Sequence, residues 1–237
     1  MSGSTRGRLC PDAIFFDYGD TLVQDTTDRY GDIRRYLLGR GIDLGRAGYE
    51  RGWAAAEAYA GAYRAAHGDR TRKEDRFWYT FCRTFLAGAV GPQAEPLAED
   101  MHAVQFFTNE VYPDTISTLE ELRRRGYRLG IISNWEAPTL PHLCDRFGLS
   151  PFFDLILPSC EAEASKPNPH IFHVALAALA VAPDHAIHIG DSFGSDIVGA
   201  RRVGITPVWL SPDDARAPDS EPLLRIHTRR DVLDLVE

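Results

Sequence analysis

The chain has no Cys-x-x-Cys pair, no long apolar run and no excess of positive charge, and each absence closes off a class of function. Its four cysteines, Cys10, Cys82, Cys144 and Cys160, are scattered, so neither a zinc site nor a disulfide framework is expected. Such thiols read as buried or incidental. No run of about 18 uninterrupted apolar residues occurs, so no membrane-spanning helix is expected. Residues 1–8 are polar and Gly/Ser-rich, without a hydrophobic signal segment, and a soluble, cytoplasmic protein is the expectation. The formal net charge of −8 offers no basic footprint of the kind that neutralises phosphates, so nucleic acid is not an expected partner. Repeats and low-complexity tracts are missing as well.

With 237 residues, 44% of them hydrophobic, the chain can bury a full core, as one large domain or as a core domain carrying an insert. The most informative stretch is Ala13-Ile14-Phe15-Phe16-Asp17-Tyr18-Gly19-Asp20-Thr21-Leu22, an apolar run that stops on a carboxylate, a glycine, a second carboxylate and a hydroxyl. Four apolar residues bounded in this way predict a buried strand that delivers Asp17 to its carboxyl end. From Asp28 to about Phe107 the pattern turns helical, with apolar residues three to four apart and breaks at Gly39, Gly68 and Gly91-Pro92. From Pro113 onward short apolar strands alternate with helix-length segments: strands at 129–132, 153–157, 186–189 and 206–210, helices at 115–125, 140–147, 169–179 and 195–203. Residues 218–237 add a last short strand near Leu224-Arg225-Ile226 and a closing helix. This alternation predicts an α/β fold, a doubly wound parallel sheet with helices on both faces. Because one strand precedes the helical block and the rest follow it, an all-helical domain at 25–109 is inserted into a core made of 1–24 and 110–237.

In an open parallel sheet, ligands bind at the carboxyl ends of the strands. Asp17, Ser133 and Gly190-Asp191 each close a predicted strand, and Lys166 lies in a loop between the later ones. Two carboxylates, a hydroxyl and an ammonium around one cavity suit phosphoryl transfer. An aspartate can attack in line, donors and a cation meet the charge on the equatorial oxygens, and paired carboxylates can hold Mg²⁺.

Four segments in order, Phe16-Asp17-Tyr18-Gly19-Asp20-Thr21-Leu22, Ile131-Ile132-Ser133-Asn134, Lys166-Pro167-Asn168-Pro169 and Gly190-Asp191-Ser192 through Asp196, give the chain a pattern that resembles the haloacid dehalogenase-like (HAD) superfamily. The resemblance spans essentially the whole core and implies a Rossmann-like HAD core with a helical cap inserted between the first two motifs. It further implies a Mg²⁺-dependent phosphatase acting on a small phosphorylated metabolite through an aspartyl-phosphate. Asp17 would be the nucleophile, and Ser133 and Lys166 would bind the transferred group. Asp17, the Gly19 carbonyl, Asp191 and Asp196 would form the metal site, Asp191 as a direct Mg²⁺ ligand and Asp196 supporting metal-bound water. Thr21, Ser133, Asn134, Trp135, Glu136 and Lys166 would be the residues toward substrate, Trp135 and Glu136 because the loop after a strand lines the active edge.

One position departs from the family pattern. Where its phosphatases carry an aspartate two residues after the nucleophile, as acid and base toward the leaving group, this chain has Gly19 and places its next carboxylate at Asp20. Loss of a positioned acid forfeits about 10²- to 10⁴-fold in rate, and Asp20 is a weak substitute because adjacent positions in a tight turn point elsewhere. The same gap raises a metal-independent haloacid dehalogenase or epoxide hydrolase using Asp17, or an impaired HAD-fold binding protein. Asp191 argues against the first, since a second anion beside Asp17 calls for a cation. A Schiff-base mechanism would need a cap lysine; of the only two lysines, Lys73 sits in the charge run Thr71–Arg76, which reads as a solvated helix start.

The blander readings are also definite. Asp17 could be a turn residue, Ser133-Asn134 a helix cap, and Asp196 a helix-start carboxylate favoured by the dipole. The aromatics Trp53, Tyr59, Tyr63, Phe77, Trp78, Tyr79, Phe81 and Phe85 recur at helical spacing and read mostly as core of the inserted domain. His142, His170, His173 and His188 show no ligand spacing and read as structural or solvent-facing, and Asp213-Asp214 as a loop turn.

Overall fold

The computed structural model describes residues 8–25, 28–67, 75–103, 109–135, 140–211 and 223–237. Six strands form one parallel sheet in the order β5-β4-β1-β6-β7-β8: β1 (Ala13–Phe16), β4 (Arg128–Ser133), β5 (Leu155–Pro158), β6 (Ala186–Gly190), β7 (Thr206–Leu210) and β8 (Leu224–Ile226). Helices α5 (Thr115–Arg124), α6 (Leu140–Arg146), α7 (Pro169–Ala178), α8 (Val198–Arg202) and α9 (Val232–Leu235) cover its faces.

Strand periodicity decides which helix each residue meets. Along β1, Ile14 and Phe16 join a core with Leu119 and Leu122 of α5, Leu140 and Leu143 of α6 and Val232 of α9. Ala13 and Phe15 project to the other face and pack with Ile171, Phe172 and Ala175 of α7 and Ala200 of α8. All four β1 side chains are fully buried, as expected of the middle strand of a sheet covered on both sides. Full burial of a Phe or Ile contributes roughly 1.5–3 kcal/mol, which anchors β1 beneath the residue that follows it.

The chain divides into two compact units: Met1–Gln24, Glu110–Trp135 and Leu140–Glu237 form the sheet domain, and Asp25–Asn109 lies in the other. Two short strands not foreseen in the sequence, β2 (Val23–Asp25) and β3 (Asn109–Val111), pair where the chain leaves and re-enters the sheet domain. The second unit is helical: α1 (Arg29–Leu38), α2 (Arg46–His67), α3 (Asp75–Ala89) and α4 (Leu97–Ala103). Asp28 caps α1 by accepting from Gly31 N at 2.9 Å. Helices α2 and α3 approach closely through Gly52 and Gly88: a Cβ on Gly52 would lie 2.6 Å from Phe85 O. Phe77, Phe81 and Phe85 form the buried core of this unit, with Trp53, Tyr59, Tyr63, Trp78 and Tyr79 packed on it. Among the described residues no helix is long and apolar enough to cross a membrane.

Candidate active site

Parallel pairing sends the carboxyl ends of β1, β4 and β6 to one edge. Phe16 pairs with Ile131 on one side and with Ile189 on the other, so Asp17, Ser133 and Asp191 emerge as neighbours. Asp17 is held at the strand end by its N–H, which donates to Ile189 O at 2.8 Å. Lys166 reaches the same edge from the loop between β5 and α7, and two contacts set its position. Asn168 caps α7 by accepting from His170 N, with Pro169 at the first helical position. The Asn134 amide clamps the Lys166 main chain from both sides, Oδ1 accepting from Lys166 N at 2.7 Å and Nδ2 donating to Lys166 O at 3.0 Å.

The Lys166 side chain is almost completely buried, and its ammonium donates to Asp17 Oδ1 and to Asp196 Oδ1, each at 2.6 Å. Asp196 is more than a helix-start carboxylate. It is fully buried, sits in a π-helical turn, Phe193–Ile197, and also accepts from His188 Nε2 at 2.9 Å and from Ser192 N at 3.0 Å. Gly190 makes room for it, since a Cβ there would lie 2.3 Å from Asp196 Cγ. Asp191 is half-buried; Thr21 Oγ1 lies 3.4 Å from its Oδ1, and Trp209 Nε1 donates to its main-chain oxygen at 2.8 Å.

Carboxylate oxygens of Asp17, Asp191 and Asp196 lie within 4.8 Å of one another. Three carboxylates and one ammonium leave two negative charges in a desolvated space. The titration behaviour reflects that surplus. Burial raises the Asp17 carboxyl, Lys166 opposes this, and the Asp196 and Asp191 charges add to it, with a net upward shift. Asp191 is raised by burial and by the charges of Asp196 and Asp20. Burial also works against the Asp196 anion, but Lys166 and the His188 hydrogen bond outweigh it and hold Asp196 below the usual carboxylate range. Lys166 is pushed down by burial and more than recovered by Asp17 and Asp196, so it stays charged. An all-oxygen donor set with two uncompensated charges fits a hard divalent cation such as Mg²⁺.

The remaining expected site residues fall as follows. Thr21 and Ser133 are buried at the edge. Gly19 is half-buried and a Cβ there would meet nothing within 4 Å. Asp20 is exposed, at a positive φ of 54°. Trp135 packs edge-on against Tyr18, ring centroids 5.6 Å apart, and its carbonyl accepts from Ser159 Oγ. Glu136, Lys73 and Asp213-Asp214 lie outside the described residues. Sequence reasoning missed Trp209, Arg229 and the role of His188. Arg229 Nε donates to Thr21 O at 2.6 Å, and its guanidinium lies 3.4 Å over the Tyr112 ring. No local pattern marks these contacts: Arg229 and Trp209 meet partners distant in sequence, and the His188–Asp196 pair, though near in sequence, meets only through the turn after β6.

The fold and site define an open α/β protein of the kind that binds ligands at a sheet edge, with a carboxylate and lysine centre there. Residues 11–204 match the family model described as haloacid dehalogenase-like hydrolase. The chain is 30% identical over 224 residues, 94% of it and 93% of the relative, to a glyceraldehyde 3-phosphate phosphatase of Methanothermobacter thermautotrophicus. It is 35% identical over 154 residues, 62% of it and 59% of the relative, to a phosphoserine phosphatase of Thermus thermophilus. A solved HAD phosphatase from Thermococcus onnurineus superposes with a TM-score of 0.63 at 26% identity, covering 94% of this chain and 97% of that one. The chain belongs to the haloacid dehalogenase-like hydrolase family.

Proposed function

We propose that this hydrolase is a Mg²⁺-dependent phosphatase that removes phosphate from a small metabolite through a phospho-Asp17 intermediate. The observation that carries the reading is the Lys166 ammonium bridging Asp17 and Asp196 beside Asp191, a nucleophile, a fixed cation and a carboxylate centre in one place. The relatives named as phosphatases support it.

In the first step an Asp17 oxygen attacks phosphorus, the bond to the leaving oxygen breaks, and an aspartyl-phosphate forms; in the second, water cleaves that mixed anhydride to release phosphate and restore the carboxylate. Lys166 holds Asp17 in place and, with Ser133, takes the charge of the phosphoryl oxygens. Asn134 fixes the Lys166 main chain, so the ammonium is preorganised. Asp17, Asp191, Asp196 and the Gly19 carbonyl would hold Mg²⁺. When bound, the ion would neutralise the surplus carboxylate charge and draw the phosphate dianion toward a nucleophile that would otherwise repel it. Gly19 supplies no acid for the leaving oxygen, which favours substrates whose leaving groups need no protonation, acyl, enol or aryl phosphates. The helical unit is assigned the choice of leaving group.

A panel of phosphorylated metabolites, glyceraldehyde 3-phosphate and phosphoserine among them, assayed with Mg²⁺ and with excess chelator, tests the reading. Turnover should require the metal, and Asp17→Asn should abolish both turnover and acid-stable labelling by phosphate. Undiminished activity of Asp17→Asn removes the mechanism, and halide release from a haloacid in excess chelator replaces the reaction class.

A further inference from the structure

One buried titratable side chain in direct contact with the carboxylate centre has no part in the mechanism above. His188 lies in β6, whose Ile187 and Ile189 face one core while Ala186 faces the other. The strand period therefore puts His188 and Gly190 on the Ala186 face, over which Asp196 folds. His188 is fully buried, and its ring meets the edge of Phe172 at 5.3 Å and 90°. Phe172 is itself fully buried and packs closely on Gly199, where a Cβ would come within 2.5 Å of its ring.

The protonation of His188 follows from its partners. Asp196 is ionised and can only accept, so the 2.9 Å contact requires the proton on Nε2. Nδ1 has no hydrogen-bond partner among the described residues. His188 therefore gives Asp196 a hydrogen bond from a ring held by burial in one core. The bond also apportions the Asp196 oxygens. Oδ1 accepts from Lys166 and His188, Oδ2 accepts from Ser192 N, and among the described residues no second donor meets Oδ2. Were the His188 bond absent, the oxygen facing Lys166 would keep a single donor, and the plane of the carboxylate would be held only by Lys166 and Ser192 N.

We propose that His188 is a positioning residue that fixes the plane of the Asp196 carboxylate, so that one oxygen stays with Lys166 while the other is presented to the divalent cation. The inference rests on the metal-dependent reading above. Partners that orient a ligand in this way are commonly worth 10- to 100-fold in metal affinity or activity.

The test compares wild type with His188→Gln, His188→Asn and His188→Leu, measuring the Mg²⁺ dissociation constant by calorimetry, the Mg²⁺ concentration for half-maximal activity, and KM for substrate. Gln places an amide N–H where Nε2 was; Asn ends short, near the Nδ1 position; Leu carries no donor. His188→Gln should bind Mg²⁺ within about threefold of wild type, while His188→Asn and His188→Leu should bind about 10- to 100-fold more weakly, with the activation constant following and KM little changed. If His188→Leu does not fold, the Gln and Asn pair still decides, because both are polar and differ in reach. Equal Mg²⁺ affinity in Gln and Asn variants, or wild-type affinity in the Leu variant, overturns the role of His188 and leaves the phosphatase reading standing. Failure of the wild type itself to bind Mg²⁺ overturns the metal-dependent reading and this inference with it.

Discussion

Replacing Lys166 by methionine isolates the charge balance on which the site depends. The ammonium is nearly inaccessible and touches two carboxylates at 2.6 Å, with a third within 4.8 Å of both. Methionine matches the length of the stem, so the packing is largely kept and the change is chiefly electrostatic. Removing one partner from a buried ion pair costs about 3–5 kcal/mol. For a protein of this size about 2–4 °C accompanies each kcal/mol, so the variant should melt roughly 6–20 °C lower in chelator. The deficit should depend on pH in a definite direction. Asp17 already titrates above its unfolded value, and loss of Lys166 raises it further. A carboxyl with a raised folded-state pKa favours the fold below its unfolded pKa of about 3.9 and loses that contribution as pH rises through the folded value. The gap between variant and wild type should therefore be smallest near pH 5 and widest at pH 8. Mg²⁺ should raise the melting temperature of Lys166→Met more than that of wild type, because the cation meets three unpaired charges instead of two. The assay is thermal unfolding followed by circular dichroism at both pH values, with chelator and with saturating MgCl₂. A variant that melts within about 2 °C of wild type in chelator at pH 8, less than one kcal/mol by the same conversion, would refute the claim that Lys166 is an ionised, charge-balancing group.

Gly190→Ala should act as a steric probe of Asp196: the new methyl would sit 2.3 Å from Asp196 Cγ, so turnover should fall at least about 10²-fold and stability by about 1–3 kcal/mol. Wild-type kinetics in that variant would show that Asp196 can be displaced without consequence. Gly19→Asp meets open space and needs no left-handed backbone, so it should fold normally. It should raise hydrolysis of alkyl phosphomonoesters by up to about 10²-fold while leaving aryl and acyl phosphates little changed. An equal gain on both substrate types would sever the link between Gly19 and leaving-group protonation.

The local pattern carried the sheet strands, because an apolar run ending on Asp17 or on Gly190-Asp191 has a period and a boundary that a reader can see. The short β2 and β3 escaped it. Three residues carry too little period to register, and their pairing joins positions 23–25 to 109–111, which no window spans. Asp196 was legible as a motif member yet equally as a dipole-favoured helix start; only its burial and its three donors decide between them. Asn134, assigned toward substrate with its neighbours, has both amide atoms on the Lys166 main chain, a use that depends on two loops meeting across the sheet edge.

What the chain determined alone was chemistry and order: which residue types end which strands, that a helical segment interrupts them, and that Gly19 stands where an acid would serve. Tertiary structure decided charge state and orientation. Asp17, Lys166 and the stretch that carries His188, Asp191 and Asp196 are three separate segments, and the protonation of these residues is set by desolvation and by neighbours at hydrogen-bond distance. Those quantities exist only once the folded sheet has brought the segments to one edge, because Coulomb energies in a buried space depend on separation and solvent access and not on sequence distance.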